Sequence, residues 1–408
     1  MQWAVCALLA LGTLCAGQVG ASDPPIGVDT TIPSFTKELG IETETHYVTT
    51  NDGYILTVFR LLPKTTAQEQ PEVVYLQHGI LASAWGWLVN TDGAAPAVHL
   101  WEQGFEVWLG NSRGNEFALN HTTYKVHSKE FWNYTFEDMG EKDIPATVDY
   151  ILTTSGSSKL QYVGWSQGNT AMFIGGVSSK PYTPLSGAAT TAGSFIADHV
   201  THHIALSPVV YLEHAEALFL HFIAKSGVGD ILEAAFPYSF LGGSKALSLL
   251  EHVVCDVTLG VTCKIGVDWF CGVSNLDSKS VIDDRFIKHF PAGTSVKDVN
   301  HYGQYMASKE VFDRYDYGEK GNIAEYGQPT PPVFDLKSYP LNVSLFAATH
   351  DALVAPEDLL FLQDVLPSDS SETLSFDDFS HLTWLVAKQD STYWLDNFTA
   401  SINRYAGL

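Results

Sequence analysis

The pentapeptide Gly164-Trp165-Ser166-Gln167-Gly168 stands directly behind the apolar run Leu160–Val163, and it restricts the fold more than any other segment. A G-x-S-x-G segment between a strand and a helix turns too sharply for side chains at either end, which is why glycine flanks the serine on both sides. The turn lifts the serine hydroxyl to the carboxyl end of a sheet and points the next backbone N–H at a developing oxyanion. Three fixed positions in five recur by chance, so the context decides. Lys159-Leu-Gln-Tyr-Val-Gly164 reads as a buried strand, and Asn169-Thr-Ala-Met-Phe-Ile174 opens a helix.

The surrounding pattern places this turn in an open α/β sheet. Residues 42–62 alternate like a hairpin, with Asn51-Asp52-Gly53 as the turn. Short apolar runs at 71–78, 105–110, 203–208, 341–348 and 372–376 read as strands. Helical spacing at 94–103 and 137–153 separates the earlier ones. Strand–helix alternation with right-handed crossovers gives a mostly parallel central sheet. The alternation lapses from 209 to 335, where residues 213–235 and 245–254 read as helices, so a mostly helical cap is expected there. The domain plan is then core 22–208, cap 209–335 and core 336–408. Residues 175–198, rich in Ser, Thr, Ala and Gly, read as a flexible surface loop.

Composition narrows the function classes. With 408 residues, 45% of them hydrophobic and 17% charged, the chain builds a sizeable core. Its 46 acidic and 22 basic residues give a formal charge of −24, which excludes phosphate-neutralising nucleic-acid binding and opposes docking on anionic lipid. Such a charge keeps the surface soluble, and an acidic working fluid would relieve the repulsion. Residues 1–21 read as a secretory signal, with Ala4–Leu14 as the apolar segment and Val19-Gly20-Ala21 as the cleavage site. No later apolar run is long enough for a membrane anchor. Four sequons, at Asn120, Asn133, Asn342 and Asn397, fit the secretory route. Of the five cysteines, Cys255, Cys263 and Cys271 lie outside the signal. One disulfide and one free thiol is their simplest oxidised arrangement, and their spacing fits no zinc pattern. A secreted or lysosomal monomer, with no metal and no cofactor, is expected.

A serine hydroxyl needs a base, and the base an orienting acid; in an α/β-hydrolase they follow the serine as acid and then histidine. Asp351 lies just past the strand ending near 348, and His381 just past the one ending near 376, both at the carboxyl edge of the sheet. His350 competes with His381, and Asp377 and Asp378 compete with Asp351. His350 must turn away if Asp351 turns inward, and the two late aspartates are too near His381 in sequence to approach its ring from the required side. Gln167 supplies one oxyanion N–H, and the loop His78-Gly79-Ile80-Leu81 the other, from Ile80 or its neighbour Leu81. His199, His202 and His203 look like a possible metal cluster but read as a polar loop entering the strand at Ile204.

Several longer segments carry a resemblance. They are Leu76–Ser83, Val107–Asn115, Phe136–Met139, Asp143–Ile151, Gly164–Gly168, Pro291–Ser295 and Ser380–Leu382, in order along nearly the whole mature chain. On these the chain resembles the animal acid lipases, the gastric and lysosomal lipase family. The resemblance implies an α/β-hydrolase core with a cap and movable lid, acting on ester bonds of neutral lipids at a lipid–water interface without cofactor or metal. It implies Ser166 as nucleophile, Asp351 as acid, His381 as base, Ile80 and Gln167 as oxyanion donors, and a Cys255–Cys263 disulfide with Cys271 free. Trp165 departs from it, standing where relatives usually carry histidine, and so do the long polar 175–198 segment and the strong acidity. The competing functions are a soluble short-chain carboxylesterase and a non-catalytic lipid-binding or storage protein of the same fold.

Overall fold

The computed structural model describes residues 31–64, 71–90, 95–217, 274–308 and 311–407, with scattered positions between 221 and 272. The expected signal segment and all five cysteines lie outside the described residues. A nine-stranded sheet organises the rest. Its strands are β1 (Thr43–Thr49), β2 (Tyr54–Leu61), β3 (Val73–Gln77), β4 (Glu106–Leu109), β5 (Asn120–His121), β6 (Leu160–Trp165), β7 (Val200–Leu206), β8 (Asn342–Ala348) and β9 (Ser371–Phe376). They lie in the order β1-β2-β4-β3-β6-β7-β8-β9, with β5 on the edge of β2. β1 and β2 form the expected antiparallel hairpin around Gly53, and β2 also runs antiparallel to β4. From β4 through β9 every pairing is parallel, as the strand–helix alternation predicts.

Parallel strands buried on both faces carry near-continuous apolar sequence, and β3 (VVYLQ) and β6 (LQYVGW) are buried at every position. Side chains alternate between the faces. Val73, Tyr75, Leu160, Tyr162, Val343 and Leu345 enter one core cluster. Val74, Leu76, Val163, Trp165, Phe346 and Ala348 enter the other. Burying each such side chain is worth about 1.5–3 kcal/mol, so both layers of helices are held by the same strands.

Two sequence expectations fail here. Residues 175–198 form ordered structure: the end of a helix (Gln167–Val177), a two-strand pair (Pro181–Tyr182 with Thr190–Thr191) and a helix (Ala192–His199). The polar residues that suggested a loop are partly caps; the Thr191 side chain accepts from Ser194 N–H at the helix start, while Phe195 and Ile196 are buried. The histidine cluster is not a loop either. His199 closes that helix, and His202 and His203 are interior residues of β7. Their polarity is satisfied by Ser344 and Gln161 around His202, and by Tyr339 and Asn169 around His203. Burial holds His202 near pKa 3 and pushes His203 well below the usual histidine value. No group of potential metal ligands gathers among the described residues.

Between β7 and β8, residues 213–217 are irregular and do not begin the expected helix; most of the remaining helical span to 254 lies outside the described residues. Farther on, Ser239–Phe240 pairs with Thr294–Ser295, and the helix Val296–Ala307 follows, capped by the Ser295 hydroxyl.

The loop after β4 is pinned by an ion cluster. Arg113 is buried and donates to Asp143 at 2.5 and 3.0 Å and to Asp52 at 2.8 and 3.2 Å, with its guanidinium 4.0 Å from the centre of the Tyr54 ring. Removing one side of such a pair leaves uncompensated buried charge. Replacing Arg113→Met should lower unfolding stability by about 3–5 kcal/mol in chemical denaturation, and a loss under about 1 kcal/mol would contradict this account of the loop.

Candidate active site

Backbone strain locates the site before any chemistry does. The described non-glycine residues with positive φ are Leu81, Ser166, Ser207, Leu241 and Asp378. Four of the five follow the carboxyl ends of β3, β6, β7 and β9, the edge where open α/β sheets place their ligands.

Ser166 sits at φ 55° and ψ −119°, between β6 and the helix Gln167–Val177. Its N–H donates to Leu206 O at 3.1 Å and its carbonyl accepts from Asn169 N–H at 2.9 Å, so the turn is tied at both ends. A directed chain supports it from below. Tyr339 Oη pairs with His203 Nδ1 at 2.9 Å, His203 Nε2 with Asn169 Oδ1 at 3.0 Å, and Asn169 Nδ2 donates to Leu206 O at 2.9 Å. Gly168 has no room for a side chain, since a Cβ there would lie 2.4 Å from Gln77 O.

The loop after β3 crosses this turn. A Cβ on Gly79 would lie 2.8 Å from Ser166 Cβ and 3.0 Å from Trp165 Cε3, so only glycine lets the two segments approach this closely. His78 fixes the loop. Its Nε2 accepts from Ser112 N–H at 3.1 Å, which leaves the proton on Nδ1 to be donated to Gly79 O at 2.7 Å. Burial lowers the His78 pKa to about 4, so the imidazole stays neutral in this role. Leu81 O accepts from Ala292 N–H at 2.6 Å, and among the described residues neither Ile80 nor Leu81 N–H meets an acceptor. Gln167 N–H, at the first position of its helix, likewise has no partner within that helix. Both candidate loop donors therefore remain open.

Asp351 and His381 meet as the sequence predicts. His381 Nδ1 lies 2.7 Å from Asp351 Oδ2, with both side chains buried. Asp351 Oδ1 accepts from Leu353 and Val354 N–H at 2.8 and 3.0 Å, so the carboxylate is held by three bonds and the proton of His381 by one. His381 Nε2 is buried with no hydrogen-bond partner, an acceptor left for a proton. The competing residues lie elsewhere. His350 and Asp378 face each other at 3.5 Å on the surface, 57% and 69% exposed, and Asp377 is exposed too.

Two residues hold the histidine through contacts that the sequence does not signal. Trp165 donates Nε1–H to His381 O at 2.9 Å, and its ring lies 5.4 Å from the imidazole, centre to centre. Asp277 accepts from the hydroxyls of Ser380 and Thr383 at 2.9 and 2.6 Å and anchors the loop that presents His381. Asp277 lies far from His381 in sequence and in no recognisable pattern, so nothing in the sequence marks it; Trp165 was visible only as an oddity. Of the sequon asparagines, Asn120, Asn133 and Asn397 are exposed and Asn342 is half-buried at the start of β8. Asn133 Oδ1 already accepts from Lys297 Nζ at 2.9 Å.

A family model described as a partial alpha/beta-hydrolase lipase region matches residues 32–91. Gastric triacylglycerol lipase of Bos taurus is 35% identical over 358 residues, covering 85% of each chain. Gastric triacylglycerol lipase of Homo sapiens is 32% identical, covering 81% of this chain and 80% of its own. The chain belongs to the gastric and lysosomal acid lipase family. The fold agrees. An esterase from Exiguobacterium antarcticum superposes with a TM-score of 0.50 at 10% identity, covering 88% of this chain and 100% of its own, and shares the α/β-hydrolase sheet.

In this member of the family the indole of Trp165 bonds the histidine backbone from the position beside the serine. Trp165→Phe keeps an aromatic side chain but is smaller and lacks the N–H, leaving a buried carbonyl unsatisfied at a cost of about 1–3 kcal/mol. If the misplacement of His381 absorbs most of that, kcat on a soluble ester should fall roughly tenfold with KM nearly unchanged. An unchanged kcat in a variant of normal thermal stability would remove Trp165 from this role.

Proposed function

We propose that this protein is a serine lipase, a carboxylic ester hydrolase acting on neutral lipids such as acylglycerols and sterol esters. The observation that carries the reading is the buried Asp351–His381 pair at 2.7 Å, whose free Nε2 lies at the same sheet edge as the strained Ser166. Family membership supports it, since the relatives named above are triacylglycerol lipases.

In this mechanism His381 Nε2 takes the proton of Ser166 Oγ as the oxygen attacks the ester carbonyl. Asp351 keeps the other ring proton on Nδ1 and stabilises the imidazolium that forms. The carbonyl oxygen becomes an oxyanion, and Gln167 N–H and a loop N–H of Ile80 or Leu81 receive it. Collapse of the tetrahedral intermediate breaks the bond to the alcohol, which leaves with the proton from His381. Water, deprotonated by the same nitrogen, then attacks the acyl-enzyme and releases the fatty acid. Backbone N–H donors held by a folded loop and a helix start need little reorganisation as the charge develops.

We further assign residues 209–335 to a cap that covers the serine and supplies the acyl site, and residues 1–21 to a cleaved secretory signal. The destination is then outside the cell or the lysosome, in line with the relatives, and no described helix is long and apolar enough to cross a membrane. Glycans at Asn120, Asn133 and Asn397 would sit on exposed positions.

Hydrolysis of an emulsified long-chain triglyceride, followed by titration of released acid, tests the reading. The rate should rise steeply once substrate exceeds its solubility limit, and Ser166→Ala should lower it by at least about 10⁴-fold. Simple saturation on soluble esters alone would make the protein a carboxylesterase, and full activity in Ser166→Ala would end the serine mechanism.

A further inference from the structure

A buried acid behind the serine turn takes no part in the proposed hydrolysis. Asp298, in the first turn of the helix Val296–Ala307, is fully buried. Its Oδ2 accepts from Gln167 Nε2 at 2.7 Å and from Thr294 Oγ at 2.8 Å, and its Oδ1 has no partner. Gln167 is the residue whose backbone N–H faces the oxyanion, so a single glutamine side chain separates this carboxyl from the reacting charge.

Asp298 differs from the other buried acids near the site. Glu106 is paired with Arg60 at 3.0 Å, Asp143 with Arg113 at 2.5 Å, and Glu137 and Glu141 with Arg314 at 2.7 and 2.5 Å. Among the described residues Asp298 forms no ion pair. The groups around it offer no positive charge. The phenols of Tyr134 and Tyr302 are buried and neutral, their pKa values pushed well up by burial, and the carboxylate of Asp138 adds negative potential. The ammonium of neighbouring Lys297 donates to Asn133 Oδ1 and to Tyr317 Oη. A buried carboxyl without a cation and with an orphan oxygen favours its neutral form. Burial, helped by the Asp138 carboxylate, accordingly pushes Asp298 up to about 7, against the lowering effect of Gln167, Thr294 and the backbone N–H of Phe136.

We propose that Asp298 is a positioning residue for the hydrolysis, a buried acid that must keep its proton for the Gln167 oxyanion donor to act at full strength, and that it thereby sets the upper pH limit of activity. This rests on the reading of Ser166 as nucleophile and Gln167 N–H as oxyanion donor. With the proton on, Gln167 is anchored by a neutral partner. Above the titration the same anchor carries a negative charge close to the developing oxyanion, and the two repel through a poorly screening interior. The sign follows: raising pH removes the proton, destabilises the transition state and lowers kcat/KM, while acidic pH leaves the donor intact.

The test is kcat/KM on a soluble ester from about pH 5 to about pH 8.5, with phosphonate labelling of the serine and a thermal melt for each variant. The parent should lose roughly tenfold on crossing neutral pH, an order of magnitude that one buried unit charge behind the donor can supply. In Asp298→Asn, which keeps the shape and cannot ionise, that falling limb should disappear. Thr294→Val removes one donor to the carboxylate, which favours the protonated form, so its limb should move to higher pH. A parent that the phosphonate does not label overturns the serine reading itself. A labelled, active parent whose falling limb persists unchanged in Asp298→Asn overturns the role of Asp298. If Asp298→Asn does not fold, an unmoved limb in Thr294→Val overturns it equally.

Discussion

The left-handed backbone of Ser166 is the constraint on which the rest of this site depends. A non-glycine residue in that region costs on the order of 1–3 kcal/mol, and it persists only where the surroundings leave no alternative. Here they leave none. Leu206 O holds the Ser166 N–H, the Tyr339–His203–Asn169 chain holds the same carbonyl from beneath, and Gln77 presses on Gly168 from the neighbouring strand. These supports come from β3, β7 and the loop before β8, so the serine is placed by the register of the whole sheet rather than by its own five residues.

The polar groups at this edge divide by how their charge is managed. Asp351 is held by two backbone N–H groups and by His381, and so is fixed as the partner of one ring nitrogen. His78 is kept neutral and used as a two-sided clasp between the loop after β3 and the loop after β4. Asp298 is buried against an amide and a hydroxyl without a cation, and that is why it is a candidate for responding to pH where the acids paired with arginine are not. Trp165 joins the serine turn to the histidine loop through one indole hydrogen bond, so the two are mechanically linked.

Much of this was legible in the chain. The elbow, the strands on either side of it, the Asp351 and His381 positions and the His78-Gly79 loop all carry local patterns: apolar runs of strand length, and a small residue where backbones cross. Trp165 was legible as a departure, but its bond to His381 O joins residues 216 apart, which no local pattern predicts. The segment 175–198 was misread because Ser, Thr and Gly serve both loops and caps, and only the burial of Phe195 and Ile196 distinguishes the two. His202 and His203 were misread for the opposite reason: a histidine inside a strand looks polar until its partners, Ser344 and Tyr339, arrive from distant segments. Asp277 and Asp298 had no sequence signal, since their importance comes from what they touch.

The proposed hydrolysis requires that Ser166, His381 and two backbone N–H groups surround one reacting atom. A crystal structure of the enzyme after reaction with a long-chain alkylphosphonate tests it most directly. Phosphorus should be bonded to Ser166 Oγ, with one phosphonyl oxygen within about 3 Å of Gln167 N and of Ile80 or Leu81 N, and His381 Nε2 in hydrogen-bond reach of Ser166 Oγ or of the leaving-group oxygen. An adduct on another residue, or a phosphonyl oxygen turned away from those N–H groups, would contradict it.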